Sequence, residues 1–221
     1  PMYPYMWNLN NNGTNGAVVD EDIDAPEAWD TFTGSDTVVV AVLDTGVDYT
    51  HPDLAPNMWT NPGEIPNNGL DDDGNGWVDD VHGVGPGVGM GYGDPMDFDL
   101  EVGHGTHVAG TIGAVGNNDL GVTGVNWDVQ IMAVNVLMDD LGAAAGTDAV
   151  VIAGLSYVTM MKERYDVNVV VSNHSYGGAA FSSARRAAIQ DHIDAGILFV
   201  AASGNDGTNN DTVPHYPSSY D

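Results

Sequence analysis

The sequence contains no cysteine and very few basic residues. Without cysteine, the 221-residue chain can form no disulfide bonds and can use no thiol in catalysis. Only 4 Lys and Arg residues accompany 32 Asp and Glu residues, which leaves a formal net charge of −28. Nucleic acids and anionic membranes bind basic protein surfaces, so we expect neither of them as a partner.

Long apolar runs are also missing. No stretch approaches the roughly 18 apolar residues that a membrane-spanning helix needs, so we expect a soluble protein. Residues 1–19 lack the charged start and apolar stretch of a signal peptide and look like an arm exposed after earlier residues were removed. The acidic surface suits a high-salt or a calcium-rich medium, or simply keeps molecules apart by charge. We expect a secreted, extracellular protein and leave salt adaptation open.

Apolar, β-branched runs alternate with helical patterns along the chain. The apolar runs cover residues 38–43, 129–137, 167–171 and 197–201, and the helical patterns cover 106–115, 147–164 and 182–195. Thr147 and Ser182 are good N-cap residues, and Gly196 is a plausible helix stop. The alternation predicts an α/β fold with a mostly parallel sheet and helices on both faces. With 43% apolar residues, we expect one domain over residues 1–221.

Residues 59–99 fit neither period and read as a long loop excursion, which in a compact domain is usually tied down or functional. Within it, the stretch DDDGNGWVDD places oxygen ligands at alternate positions, and Gly76 allows the sharp turn of a calcium loop. His82 replaces the last glutamate of an EF-hand, with Asp80 as a substitute carboxylate. A solvated acidic loop is the alternative. The predicted calcium ligands are Asp71, Asp73, Asn75, the carbonyl of Trp77, and Asp79.

Two further motifs carry acidic and histidine side chains. Asp44 follows the first apolar run in VAVLDTGVDYTHPDL, and chemistry in open parallel sheets gathers beyond the carboxyl ends of strands. His104 and His107 lie in the glycine-rich helical segment EVGHGTHVAGTIGA. Taken singly, Asp44 reads as a turn aspartate and His104 as a structural histidine. A metal site of Asp44, His104 and His107 is a further alternative, although the segment lacks the glutamate of a His-Glu-x-x-His helix.

Together and in this order, the two motifs resemble those of the subtilisin-like serine proteases, or subtilases. The resemblance implies that Asp44 orients the imidazole of His104, which acts as the general base of an Asp-His-Ser triad on a polypeptide substrate. His107 would then be a packing residue. The strand end LFVAASGNDG is similar to the family's oxyanion segment, which implies that the Asn205 amide stabilises the oxyanion.

The resemblance also implies a peptide-binding cleft and a second calcium site. One wall of this cleft would consist of Ser175, Tyr176 and Gly177, and the first specificity pocket would be lined by Ala202, Ser203 and Gly204. Gly142, Ala143 and Ala144 would flank the other side of the peptide. The calcium ligands matched to the family are the side chains of Asp53 and Asn118 and the carbonyls of Leu120 and Val122. We therefore expect one or two structural calcium ions.

The Gly-Thr-Ser motif of the family's nucleophile turn does not occur in the sequence. The resemblance covers residues from about Asp20 onward but only the front part of the family's domain. We therefore expect an incomplete peptidase domain that is inactive alone and belongs to a serine endopeptidase. The alternative is a truncated pseudoprotease that binds calcium and peptides. The expected partners are a propeptide, the missing C-terminal portion, or a second copy bound through exposed apolar surface.

Overall fold

The structure is a computed structural model that describes residues 2–85, 94–97, 103–137 and 146–220. Its centre is one sheet in the strand order β2-β3-β1-β4-β5, with every neighbouring pair parallel. The five strands are β1 (Gly34–Asp44), β2 (Gly83–Val84), β3 (Asp128–Asn135), β4 (Val169–His174) and β5 (Leu198–Ala201).

Helices cover both faces of this sheet. They are α1 (Ala25–Trp29), α2 (His104–Gly113), α3 (Asp148–Tyr165) and α4 (Ser183–Asp194), with short 3-10 helices at Tyr3–Tyr5, Thr14–Gly16 and Ala55–Asn57. One buried apolar cluster joins the sheet to α3 and α4, and a second joins the opposite face to α2. The predicted three-layer α/β fold is therefore confirmed.

The ends of α3 and α4 follow the local sequence signals. The Thr147 hydroxyl accepts a hydrogen bond from Val150 N–H, and the Ser182 hydroxyl accepts one from Arg185 N–H. These bonds satisfy N–H groups that have no partner inside the helix. Asp166 then ends α3 in the left-handed conformation. Both predicted helices are confirmed to within a residue or two.

An irregularity in β4 decides which side chains face which layer. Val39 pairs with Val169 and Val40 with Val171, so Val170 is the extra residue. A β-bulge of this kind reverses the alternation of side chains along the strand. Val169 consequently packs with α3, whereas Val171 packs with the α2 cluster. Beyond the bulge, alternation places the side chains of Ser172, His174 and Tyr176 on the face of α3 and α4.

Part of the sheet surface on the α2 side remains open. Phe199 packs against the α3 and α4 cluster, so Leu198 and Val200 point to the opposite face, where they are 65% and 44% exposed. Apolar side chains on adjacent positions of one strand face are normally covered by another element. Among the described residues, none of the helices has the length and apolarity required to cross a membrane.

Candidate active site

An aspartate and a histidine meet at the carboxyl edge of the sheet. Asp44 is the last residue of β1 and His104 the first residue of α2. The Nδ1 atom of His104 lies 2.6 Å from Oδ1 of Asp44. The Asp44 side chain is fully buried, whereas that of His104 is 46% exposed. This geometry fixes one ring nitrogen on the carboxylate and leaves Nε2 free to face a reactant.

The surroundings of Asp44 direct it towards the imidazole. Burial raises the pKa of this carboxyl, and the hydrogen bonds from His104 and from the Thr45 N–H oppose the shift. Thr45 N–H lies 2.8 Å from Oδ1. The other oxygen, Oδ2, is buried and has no hydrogen-bond partner among the described residues. A buried carboxylate with so few donors gains strongly from an imidazolium beside it.

The start of α2 is held by residues distant in the sequence. Gly103 at the N-cap has a φ of 54° and gives no side-chain cap. Instead, the Asp97 carboxylate accepts hydrogen bonds from the N–H and the hydroxyl of Thr106, at 3.2 Å and 2.8 Å. A Cβ atom on Gly105 would lie only 2.1 Å from the Gly46 carbonyl oxygen. The glycine therefore lets α2 approach the turn after Asp44 closely enough for the pair to form. Sequence reasoning missed Asp97 because the cap is not local.

His107 takes no part in the pair. Its side chain is exposed on α2, so the expectation that it is a packing residue is wrong. The candidate metal-ligand cluster among the described residues consists of Glu64, Asp71 and Asp73. The two histidines of the motif do not enter such a cluster, which gives the alternative metal site at Asp44 no geometric support.

The predicted cleft segments leave the sheet side by side. His174 at the end of β4 pairs with Ala201 at the end of β5, and Ala202 N–H donates to the His174 carbonyl at 3.0 Å. Residues 175–177 and 202–204 therefore begin at the same edge as Asp44. Asn205 follows in an exposed bend. Residues Gly142, Ala143 and Ala144 lie outside the described residues.

His215 lies between these two segments and was missed by sequence reasoning. A Cβ atom on Gly177 would lie 2.1 Å from Cε1 of His215, and one on Gly204 would lie 3.0 Å from its Cδ2 and Nε2. Reciprocal backbone hydrogen bonds of 2.8 Å and 2.7 Å between Gly178 and Tyr216 hold the histidine there. His215 belongs to no recognised motif in the sequence, so its position beside the cleft is visible only in the fold.

Tyr176 contributes to the cleft differently from Ser175 and Gly177. Its side chain packs against the α3 and α4 cluster, and its hydroxyl lies 2.8 Å from Nδ1 of His174. Burial raises the pKa of the Tyr176 hydroxyl above its ordinary value. Only the backbone of this residue is thus available to the cleft, while its side chain anchors the strand end.

The acidic loop brings three carboxylates together. Oxygens from Glu64, Asp71 and Asp73 all lie within 4.8 Å of one another. An all-carboxylate oxygen set suits a hard cation such as calcium. Asp79 faces the loop backbone instead and accepts from the N–H groups of Asn68 and Gly69 at 3.1 Å and 2.9 Å. Glu64 lies before the repeating part of the loop, so the alternate spacing of oxygen ligands in the sequence does not include it.

Asp80 ties this loop to the protein core. Its Oδ2 accepts hydrogen bonds from the Tyr157 hydroxyl at 2.6 Å and the Asn75 amide at 2.9 Å. Burial raises the pKa of the Asp80 carboxyl to about 6. Trp77 packs edge-on against the Tyr157 ring with centroids 5.8 Å apart. Asn75, Trp77 and Asp80 therefore anchor the loop on α3.

The other predicted calcium ligands also lie close together. Asp53 is buried and accepts from the Asn118 amide at 2.7 Å and from Val122 N–H at 2.9 Å. The N–H of Leu120 donates to the Asn118 side-chain oxygen at 3.0 Å. Each Asp53 oxygen accepts one of these hydrogen bonds and keeps a second lone pair that could face a cation. This second calcium site stays a prediction.

Comparisons with known proteins identify the family to which the chain is related. A model of the subtilase family matches residues 35–221. The chain is 34% identical over 184 residues to Subtilisin-like protease 1 of Plasmodium berghei (strain Anka), covering 83% of this chain and 28% of that protein. It is 32% identical over 200 residues to Thermitase of Thermoactinomyces vulgaris, covering 90% of this chain and 57% of that protein.

A solved structure supports the same relationship. S41 psychrophilic protease matches with a TM-score of 0.64 and 29% identity, over 84% of this chain and 51% of that one. The chain thus spans between 28% and 57% of the length of these two curated relatives. The family model covers most of the sequence, including both Asp44 and His104. The chain therefore belongs to the subtilase family.

Proposed function

We propose that the protein containing this chain is a serine endopeptidase that uses Asp44 and His104 as two members of an Asp-His-Ser triad. The contact of 2.6 Å between His104 Nδ1 and Asp44 Oδ1 carries this proposal, together with the family. Asp44 holds the ring with a proton on Nδ1, so the lone pair on Nε2 takes the proton of the attacking serine. The carboxylate then stabilises the imidazolium.

Asn205 completes this part of the machinery. Its exposed side chain follows β5, at the same edge of the sheet as Asp44. In the proposed reaction, its amide donates a hydrogen bond to the oxygen that becomes negative when the serine attacks. The serine itself comes from residues that are not among these 221, because the sequence has no Gly-Thr-Ser motif.

The proposed substrate is an extended polypeptide that adds a strand beside residues 175–177. A strand of this kind binds mainly through its backbone. Gly177 has no side chain of its own, which leaves room for the His215 ring beside it. Ala202, Ser203 and Gly204 line the first specificity pocket on the other side, with His215 between the segments. Gly142, Ala143 and Ala144 complete the cleft in this proposal.

Calcium is the proposed cofactor, in a structural role. Glu64, Asp71 and Asp73 would hold one ion in the acidic loop, and Asp53, Asn118, Leu120 and Val122 would hold another. The clustering of three carboxylates within 4.8 Å supports the first site. Like-charged carboxylates in a chain of net charge −28 repel one another, and a bound dication relieves that repulsion. When bound, calcium stabilises the folded state by mass action.

We further propose that the protein is secreted and that other polypeptide covers the open face of β5. Leu198 and Val200 support the second of these points, because they expose apolar surface on β5 next to the proposed cleft. The remaining part of the peptidase domain, a propeptide or a second copy would bury that face. Size measurement of the 221-residue chain, alone and with the rest of the gene product, distinguishes self-association from intramolecular cover.

The test of the proposed activity uses the full-length gene product. We expect a fluorophosphonate probe to label it, and we expect peptide cleavage to fall about a millionfold in His104→Ala. His107→Ala is the matched control, because His107 lies on the same helix but is exposed and outside the pair. Equal activity in both variants, or no labelling of the full-length protein, would reject the proposal.

The second candidate is a non-catalytic role for this chain alone, as a fragment that binds calcium and peptides. The missing Gly-Thr-Ser motif favours it. Purified 221-residue material is expected to resist the fluorophosphonate probe while retaining calcium binding. Labelling of this material would instead show that one of its own serines is a nucleophile.

A further inference from the structure

A chain of polar side chains crosses the buried layer between β4 and the helices α3 and α4. The Tyr176 hydroxyl lies 2.8 Å from His174 Nδ1, and His174 Nε2 lies 2.8 Å from the Ser172 hydroxyl. The same hydroxyl lies 2.9 Å from His192 Nε2, and His192 Nδ1 lies 2.9 Å from the Thr159 hydroxyl. Ser172, His174 and His192 are fully buried. Phe199 stacks on the His174 ring at 3.9 Å.

One hydrogen bond sets the direction of the inner half of this chain. The Thr159 hydroxyl donates to the Leu155 carbonyl at 2.9 Å and has no second proton. It must therefore accept from His192, which places the proton of that ring on Nδ1. Burial lowers the pKa of His192 to about 4, and a hydrogen bond from the ring to the Leu155 carbonyl opposes this shift. A neutral ring with its proton on Nδ1 has a bare Nε2, which accepts from Ser172.

The number of available donors also fixes the outer half of the chain. The Ser172 hydroxyl donates its single proton in a hydrogen bond to His192, so it can only accept a hydrogen bond from His174. The His174 ring therefore carries its proton on Nε2 and presents a bare Nδ1 to Tyr176. Burial lowers the pKa of His174 well below its usual value, which keeps this ring neutral as well. The two histidines thus have opposite tautomers, and the Tyr176 proton points inward.

We propose that Thr159, His192, Ser172 and His174 form a proton-ordered relay that positions the substrate-binding strand by locking the Tyr176 hydroxyl. The function of the relay rests on the proposed peptide cleft, whereas its proton order does not. Tyr176 lies between Ser175 and Gly177, so its side chain fixes the backbone on which the peptide would lie. None of the four relay residues reaches the cleft, so they are positioning residues rather than catalytic ones.

The proton order has a direct spectroscopic test in the full-length protein labelled with ¹⁵N-histidine. Long-range proton–nitrogen correlations distinguish the two neutral tautomers and the imidazolium. At neutral pH we expect one slowly exchanging ring protonated on Nδ1 and another protonated on Nε2. Two buried rings with the same tautomer, or an imidazolium in the layer, would overturn the relay. This result does not depend on whether the protein is a peptidase.

A substitution at the outer end tests whether the proton order is set from the inner end. Tyr176→Phe removes only the outermost donor, so the hydrogen bonds from His174 inward to the Leu155 carbonyl can all remain. We expect both tautomers to be retained in Tyr176→Phe, because reversing them would leave a buried Nδ1 proton on His174 without an acceptor. Inverted tautomers in a folded Tyr176→Phe protein would overturn the proposal.

Kinetics then separate positioning from general stability. In Tyr176→Phe, we expect KM for an extended peptide to rise about fivefold while kcat stays within about twofold, because the hydrogen bond that anchors Tyr176 to His174 is lost. If Tyr176→Phe folds and leaves KM unchanged, the relay does not position the strand.

Discussion

The imidazole ring of His215 lies in the space that a side chain at Gly177 would occupy, with Cε1 2.1 Å from the position of the missing Cβ. Gly204 borders the ring on its other side. Two segments that leave the sheet separately are thus joined by one side chain. The gap between them is the proposed first specificity pocket, so His215 limits the size of the side chain that can enter it.

Shortening His215 is therefore expected to change substrate preference. In His215→Ala, we expect kcat/KM for peptides with a large apolar residue on the acyl side of the scissile bond to rise about tenfold relative to peptides with alanine there. Thr212→Ala is the control, because Thr212 is exposed and its hydroxyl donates to the Asn209 carbonyl at 2.9 Å rather than to His215. Profiling both variants on one peptide series gives the comparison. An unchanged preference would place the pocket elsewhere.

Asp44→Asn is expected to abolish most of the activity without unfolding the protein. The amide can donate to Nδ1 of His104, which moves the ring proton to Nε2 and removes the lone pair that accepts the serine proton. We expect kcat to fall by about four orders of magnitude. Asp48→Asn changes the next carboxylate in the same turn and keeps the His104 contact intact. A loss of less than tenfold in Asp44→Asn would show that another group orients the base.

Removing the Asn205 amide should slow the chemical step selectively. Its side chain is exposed at the edge of the proposed cleft and supports no described element. We expect Asn205→Ala to lower kcat by about two to three orders of magnitude with little change in KM, because the oxyanion exists only after attack. Steady-state kinetics with a single peptide decide the matter. A rise in KM at constant kcat would instead assign Asn205 to ground-state binding.

The acidic loop is expected to lose its calcium when Glu64 loses its charge. Calcium at about a hundred times its dissociation constant should add about 2.7 kcal/mol to the free energy of unfolding. Glu64→Gln should remove most of this increment, whereas Glu163→Gln, on the exposed face of α3, should retain it. Urea unfolding with calcium and with a chelator measures the difference. Equal increments in both variants would exclude Glu64 as a ligand.

The sequence predicted what local patterns determine. Thr147 and Ser182 begin their helices as predicted, because an N-cap acts on N–H groups two or three residues away. The motifs around Asp44 and His104 also predicted that these two side chains meet, and the structure places them in contact. Each cap lies within a single continuous motif, and the pair lies in two motifs whose order is characteristic of the family.

Residues that act across the fold were missed. Asp97 caps α2 from an irregular segment, Glu64 joins the acidic cluster from outside its repeat, and His215 reaches the cleft from a turn beyond β5. None of the three stands at a spacing that periodicity can detect. The bulge at Val170 was also unpredictable, because it depends on pairing with β1. It is nevertheless what turns His174 and Tyr176 towards the helices.

Acid should destabilise the protein through the two buried histidines. Both rings are neutral when folded, with the pKa of His192 lowered to about 4, whereas an unfolded histidine titrates near 6.5. The unfolded state therefore binds more protons between these values, and stability falls as the pH decreases from about 6.5 towards about 4, by about 1.4 kcal/mol per pH unit for each ring. Lys162 on α3 opposes protonation of His192 further. The charged groups near Tyr176, Arg185 on α4 and Asp44 on β1, lie at the outer end of the relay.

His192→Gln removes one of the two buried rings, so we expect its free energy of unfolding to depend less steeply on pH than that of the parent protein. Urea unfolding across this pH range, with a chelator throughout, measures the difference. Parallel curves would show that His192 is already charged in the folded protein.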